Sequence, residues 1–289
     1  MGSPSSGGLT VGQILGILEY FDLEKEGSSL KAAHLFIEAS KLAYADRNLY
    51  MADKDFIEVP EIGLIEKGYL LNRAQLITDS ASRKATAGYP KGSEGLLRSL
   101  QQQNERPGTT HYVVVDKYGN AASVTSTIET GFGSRVMVGG FLLNNELTDF
   151  SFFPDRNGRL IANRVQGGKR PRSSMAPTVV LKEGKPFLIT GSPGGSRIIS
   201  YVARTILNVL EWGLDPQAAI NSGHIVNRNG VTELEEGTDA INLKEGLESL
   251  GHKVKIRNLN SGLHSILFAQ DGTLIGAADP RREGLVMGE

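Results

Sequence analysis

The chain has 289 residues and no cysteine. It therefore has no thiolate nucleophile, disulfide, iron–sulfur cluster or cysteine-ligated zinc. Its five histidines, His34, His111, His224, His252 and His264, form no HExxH pairing, and a histidine standing alone is more often structural than catalytic. The sequence has no GxSxG elbow, P-loop, or GxGxxG opening a helix after a strand. What remains is a hydroxyl-rich junction, Gly108-Thr109-Thr110-His111-Tyr112.

A threonine hydroxyl is a weak nucleophile without a base. If threonine is the first residue of its chain, its own α-amine can accept the hydroxyl proton, and that amine titrates near 8. An internal threonine reaches this state only if the chain is cut just before it. Gly108 suits such a cut, because glycine tolerates strained backbone and obstructs attack little. The plain alternative is that Thr109 and Thr110 merely begin a β-strand, where threonine is at home.

The surroundings predict how such a residue is held. Residues 9–21 and KAAHLFIEASKLAYADR (31–47) have helical spacing, with Ser28 or Ser29 as cap of the second helix. From Asn48 to about Pro107 the pattern is mixed, with short helices and an exposed loop at 83–95. Beyond Gly108, HYVVVD and AASVTST form a hairpin across KYGN, and APTVVLK and PFLIT another across EGK. Helices follow at 196–212 and 240–251, then a strand pair around Asp271-Gly272. This order predicts antiparallel sheet with helices packed outside, of the α+β class. The 31 basic and 32 acidic residues leave a formal charge of −1, which offers no basic footprint for nucleic acid or an anionic membrane. No apolar run reaches the roughly 18 residues of a membrane span, and no signal peptide precedes the globular pattern. Met1-Gly2-Ser3-Pro4-Ser5-Ser6 fits only a loose myristoylation pattern. Compartment stays open between periplasmic or secreted and cytoplasmic. Glycine, at 35 residues or about 12%, exceeds the usual ~7% and points to tight turns and close backbone approach.

TTHYVVVDKYGNAASVTST, FGSR, LLNNELTDFS, KRPRSSMAPT, GSPGGSRI and GAADPRREG occur in this order, preceded by PSSGG and KLAYADR. Together they resemble the γ-glutamyltranspeptidase family, including its cephalosporin-acylase-like relatives, from Ser3 to Gly284. The resemblance implies an N-terminal-nucleophile hydrolase, with two stacked antiparallel sheets between helical layers. It implies a precursor that cuts itself between Gly108 and Thr109. Residues 1–108 would then be the mostly helical C-terminal part of a large subunit, and residues 109–289 the small subunit. The two would form one structural domain, a heterodimer from one precursor. The implied reaction needs no cofactor: a γ-glutamyl group passes from a donor such as glutathione to threonine, then to water or to an amino acid or peptide.

By the same resemblance, Thr109 is the nucleophile and Thr127 a second threonine supporting it. Gly194 and Gly195 supply oxyanion-hole amides, a task bare backbone suits. Glu146 and Asp149 hold the substrate α-ammonium, and Ser173 and Ser174 its α-carboxylate. Taken alone, these residues could equally be a strand threonine, a glycine turn, a solvated acidic loop and an exposed serine turn. Three departures stand out. Most of the family's large subunit lies outside this sequence, including an arginine that pairs with the substrate carboxylate. Glu129 replaces a common asparagine. The lid region, Ser151–Gly168, is short and lacks tyrosine, which implies an open site. On an extended strand Glu129 would face the same side as Thr127, beside Glu146 and Asp149, with Arg135 offsetting the surplus charge. The rival activities are a glutaryl or cephalosporin acylase, for which an acidic cluster is unhelpful, and an inactive fragment.

Overall fold

The computed structural model of the chain describes residues 1–101 and 108–288. The first part is helical: α1 (Gly7–Leu18), α2 (Leu23–Glu26), α3 (Leu30–Tyr50), α4 (Glu61–Leu64) and α5 (Lys67–Ala74). Ser29 caps α3 by accepting from the Ala32 amide at 3.2 Å, which satisfies one of the donors a helix start leaves unpaired. Small residues such as Ala32, Ala33, Ala39 and Ala43 let neighbours approach α3 closely, and almost all of it past the first turn is buried. Glu38, Lys41, Asp46 and Arg47 are buried with it, and burial on this scale requires each to have partners. The 83–95 loop carries no regular structure, as expected. Residues 102–107 of the mixed stretch lie outside the described residues.

Thr109 opens β1 (Thr109–Val115), which returns as β2 (Ala121–Thr127). Asp116 shapes the turn. Its Oδ1 accepts from the Tyr118 and Asn120 amides at 2.8 and 2.9 Å, and Gly119 takes a φ of +84° that favours glycine. The register sets Thr109 directly opposite Thr127. Two short hairpins follow, β3 (Met137–Val138) with β4 (Phe141–Leu142) and β5 (Asp155–Arg156) with β6 (Arg159–Leu160). Then come β7 (Thr178–Lys182) and β8 (Lys185–Gly191). A 3-10 turn, Gly195–Arg197, leads into α6 (Ile198–Leu210) and then α7 (Pro216–Asn221). The chain ends with β9 (Ile225–Asn227), β10 (Thr232–Glu235), α8 (Lys244–Ser249), β11 (Val254–Arg257), β12 (His264–Phe268) and β13 (Leu274–Ala278).

The main sheet is antiparallel, in the order β13-β12-β8-β7. One of its faces meets helices: Leu188 of β8 joins a core with Ile14, Ile17, Phe36, Ile199 and Val202 of α1, α3 and α6. The other face carries the β1–β2 hairpin. A Cβ on Gly191 would come within 2.3 Å of the His111 ring, and Ser123 Oγ donates to the Thr190 carbonyl at 2.9 Å. Sheet thus stacks on sheet, with helices outside. Two details depart from expectation. Residues 240–251 divide into a 3-10 turn, Asp239–Leu243, and the short α8. The pair β10–β11 is parallel, because α8 serves as a crossover between the two strands.

Two buried histidines make this packing sensitive to acid. Burial, helped by nearby His264, pushes His111 from 6.5 down to about 4. Burial, helped by the Lys41 charge, does the same to His252. Both rings are therefore held neutral. The stability that depends on this is complete above about 6.5 and is lost as pH falls through about 4. Thermal unfolding followed across that window should show a steadily falling Tm; a level Tm would contradict the neutral assignment.

Candidate active site

The hairpin register brings two hydroxyls together at the start of β1. Thr109 Oγ1 donates to Thr127 Oγ1 at 3.1 Å. The Glu129 amide donates to the same oxygen at 2.9 Å. With its acceptor sites engaged, Thr127 turns its own hydrogen to the Gly108 carbonyl at 3.3 Å. One hydroxyl therefore touches both the candidate nucleophile and the carbonyl of the peptide bond before it. Position 108 has no room for a side chain: a Cβ would lie 2.3 Å from the Glu129 carbonyl oxygen and 2.4 Å from the Thr130 carbonyl carbon. Arg282 of the DPRREG segment donates to the Thr109 carbonyl at 3.2 Å and to the Asn260 carbonyl at 3.1 Å, which ties Thr109 to the far end of the chain.

Thr109 and Thr127 open into a cleft also lined by Glu129, Glu146, Asp149, Ser173, Ser174, Met175, Gly195 and Ile198. Gly194 is adjacent but does not line it. A Cβ there would press on the Tyr201 ring at 2.7 Å, and its φ of +137° suits glycine alone. The Gly194–Arg197 turn is fixed from three sides. The Tyr44 hydroxyl of α3 donates to the Ser196 carbonyl, Arg228 donates to Ser196 Oγ at 2.8 Å, and Arg197 pairs with Glu233 at 2.7 Å.

The acidic side differs from the extended-strand expectation. β2 ends at Thr127, and Glu129 has a left-handed φ of +73°, a conformation asparagine tolerates better than glutamate. Asn145 holds this bend. Its Nδ2 donates to Glu129 Oε2 at 2.6 Å, and its Oδ1 accepts from the Thr130 amide and hydroxyl, each at 3.1 Å. Glu129 thus reaches the cleft through a bend rather than along a strand. Arg135 does not offset its charge: that side chain is exposed, and among the described residues no ion pair joins it to Glu129. The crowding of carboxylates is felt at Glu146. Burial raises the pKa of its carboxyl, and nearby Glu129 raises it further. The Asp149 carbonyl accepts from Asn163 at 2.7 Å, which anchors the end of the acidic turn.

On the serine side, the Met175 amide donates to Ser173 Oγ at 3.1 Å. Ser174 Oγ accepts from Arg47, a fully buried residue of α3. The Ser151–Gly168 region forms only the tight β5–β6 hairpin. Sequence reasoning missed Tyr44, Arg47 and Asn145. KLAYADR and LLNNE marked them, but no local pattern links them to the cleft. His34, Glu38 and His252 have metal-ligand spacing. However, His34 bonds His252 and the Thr78 carbonyl at 2.8 and 2.7 Å, and the Lys41 ammonium occupies Glu38 at 2.6 Å. A cation already fills the role a metal would take.

Comparison with known proteins shows the family. Residues 1–289 match the family described as Gamma-glutamyltranspeptidase. The chain belongs to the γ-glutamyltranspeptidase family. It is 42% identical to the glutathione hydrolase proenzyme of Escherichia coli K12, over 97% of this chain and 49% of that protein. A similar match, at 40%, links it to the Bacillus subtilis 168 glutathione hydrolase proenzyme, over 99% of this chain and 50% of that protein. The chain thus spans about half the length of these curated relatives. Among solved structures, a Helicobacter pylori γ-glutamyltranspeptidase mutant superposes with a TM-score of 0.55 and 36% identity, covering 60% of this chain and 100% of that one. Cephalosporin acylase from Bacillus halodurans shares the fold, with a TM-score of 0.82 over 96% of this chain and 48% of that one, at 24% identity.

The Tyr44 contact can be tested directly. Tyr44→Phe leaves a buried carbonyl short of a donor, which costs ~1–3 kcal/mol. Urea unfolding should report that loss, and unchanged stability would show that the turn is held without Tyr44.

Proposed function

We propose that this chain carries the catalytic threonine of a γ-glutamyl hydrolase and transferase, and that Thr109 becomes a chain terminus by self-cleavage. The observation that carries this reading is the Thr127 hydroxyl, which lies 3.1 Å from Thr109 Oγ1 and 3.3 Å from the Gly108 carbonyl oxygen.

In the uncut chain, Thr109 Oγ1 attacks the Gly108 carbonyl carbon while Thr127 donates to the carbonyl oxygen. The peptide C–N bond gives way to an ester, the freed nitrogen takes up the proton, and water hydrolyses the ester. The products are residues 1–108, as the C-terminal part of a large subunit, and residues 109–289 as a small subunit. The new α-amine then serves as the base for Thr109. During turnover Thr109 Oγ1 attacks the γ-carbonyl of a donor such as glutathione. Backbone amides at Gly194 and Gly195 stabilise the oxyanion, and the leaving amine takes the proton. Water, an amino acid or a peptide then takes the γ-glutamyl group.

Glu129, Glu146 and Asp149 suit an α-ammonium, and Ser173 and Ser174 suit an α-carboxylate. A glutaryl donor has no ammonium, so the acidic lining favours γ-glutamyl over the acylase reading.

Mass spectrometry of the full-length protein should find a new N-terminus at Thr109, and Thr109→Ala should remain one chain. Normal processing in that variant would remove Thr109 as the nucleophile. Gly108→Ala should slow cleavage by roughly 10²-fold, because it displaces the attacked carbonyl. Glu129→Gln should lose efficiency on γ-glutamyl donors and keep or improve it on glutaryl ones. An equal response to both donors would favour the acylase reading.

A further inference from the structure

Three sequence motifs that lie far apart in the chain meet behind the serine pair. Ser5 of PSSGG bridges to Ser173. The Ser6 amide and hydroxyl both donate to the Ser173 carbonyl, at 2.9 and 2.7 Å. Gly7 sits so close that a Cβ would lie 2.3 Å from the Met175 carbonyl oxygen. Into this junction α3 sends Arg47, which has no exposed surface. Its Nε donates to Ser6 Oγ at 2.8 Å and its Nη2 to Ser174 Oγ at 2.5 Å.

A guanidinium offers only donors. Ser174 Oγ therefore accepts from Arg47, and its own hydrogen must point elsewhere. Ser173 Oγ likewise accepts from the Met175 amide behind it. Both serines line the cleft and Arg47 does not. Two hydroxyls occupied from behind present O–H donors forward, and the buried charge on Arg47 polarises one of them. Two forward-pointing O–H donors, one of them backed by a buried cation, favour an anionic carboxylate over a neutral carboxamide, because hydrogen bonds to an ionised acceptor are about twice as strong as neutral ones.

We propose that Arg47 is a positioning residue that sets the carboxylate specificity of the cleft through Ser174, with Ser6 holding the guanidinium in place. This rests on the γ-glutamyl reading above and adds the residue that enforces it.

The test uses full-length protein and two γ-glutamyl donors that differ only in carrying an α-carboxylate or an α-carboxamide. Wild type should prefer the carboxylate. Ser174→Ala and Arg47→Lys should each cut that preference by roughly 10- to 100-fold, mainly through KM. Lysine keeps the charge but cannot fork to both serines. Ser6→Ala, which removes the acceptor of Nε and one of the two donors to the Ser173 carbonyl, should give a smaller loss in the same direction and serves if Arg47→Lys does not fold. If the Arg47 and Ser6 variants slow both donors equally, or leave the preference intact while Ser174→Ala abolishes it, Arg47 is merely structural and the proposal fails. A wild type that is inactive on both donors overturns the γ-glutamyl reading and this proposal with it.

Discussion

The site depends on a hydroxyl held across a hairpin. The partner that orients the threonine at the start of β1 comes from the opposing strand of the hairpin. The β1–β2 register supplies Thr127 directly opposite Thr109, and a slip of one residue would turn that hydroxyl to the other face of the sheet. The register is secured at both ends. Asp116 shapes the turn at one end, and the Glu129 amide fixes the Thr127 oxygen at the other. The close approach of the Glu129–Thr130 backbone then leaves room only for glycine at position 108.

The second constraint is the polar burial along α3. Its small residues let the surrounding elements close around it, so its charged side chains must find partners inside. Asp46 accepts from Gln13 and Tyr69 at 3.0 and 2.7 Å and pairs with Arg73 at 3.3 Å. Tyr44 and Arg47 reach instead to the two loops that flank the cleft, the Gly194–Arg197 turn and the serine pair. The same helix that fills the core therefore sets the spacing between the Gly194–Arg197 turn and the serine pair. Core packing and the shape of the cleft are coupled through one helix face.

Much of this could be read from the sequence where the cause was local. A serine cap at 28 or 29, the KYGN and EGK turns, and the strands of β-branched residues follow from short-range rules, and the structure contains them, with Ser29 as the cap. Thr109 and Thr127 meet because a hairpin with a known turn has a fixed register. The remaining cleft residues were legible only as motifs, since Glu146, Ser173 and Gly195 converge from three separate loops and no periodicity links them. The parallel β10–β11 pair and the left-handed bend at Glu129 escaped because each is imposed by tertiary neighbours, α8 and Asn145 respectively. Arg135 is close to Glu129 in sequence, yet its side chain lies in solvent. Arg47 was inside a recognised motif but had no visible task, because its partners lie 41 and 127 residues away.

The central claim is that Thr109 Oγ1 carries the γ-glutamyl group during turnover. Rapid quenching of the processed full-length protein with a γ-glutamyl donor, followed by digestion and mass spectrometry, tests this directly. The account predicts a γ-glutamyl ester on the peptide that begins with Thr109, formed before steady state and lost on chasing with an acceptor amine. An adduct on any other residue, or turnover with no adduct on that peptide, would contradict it.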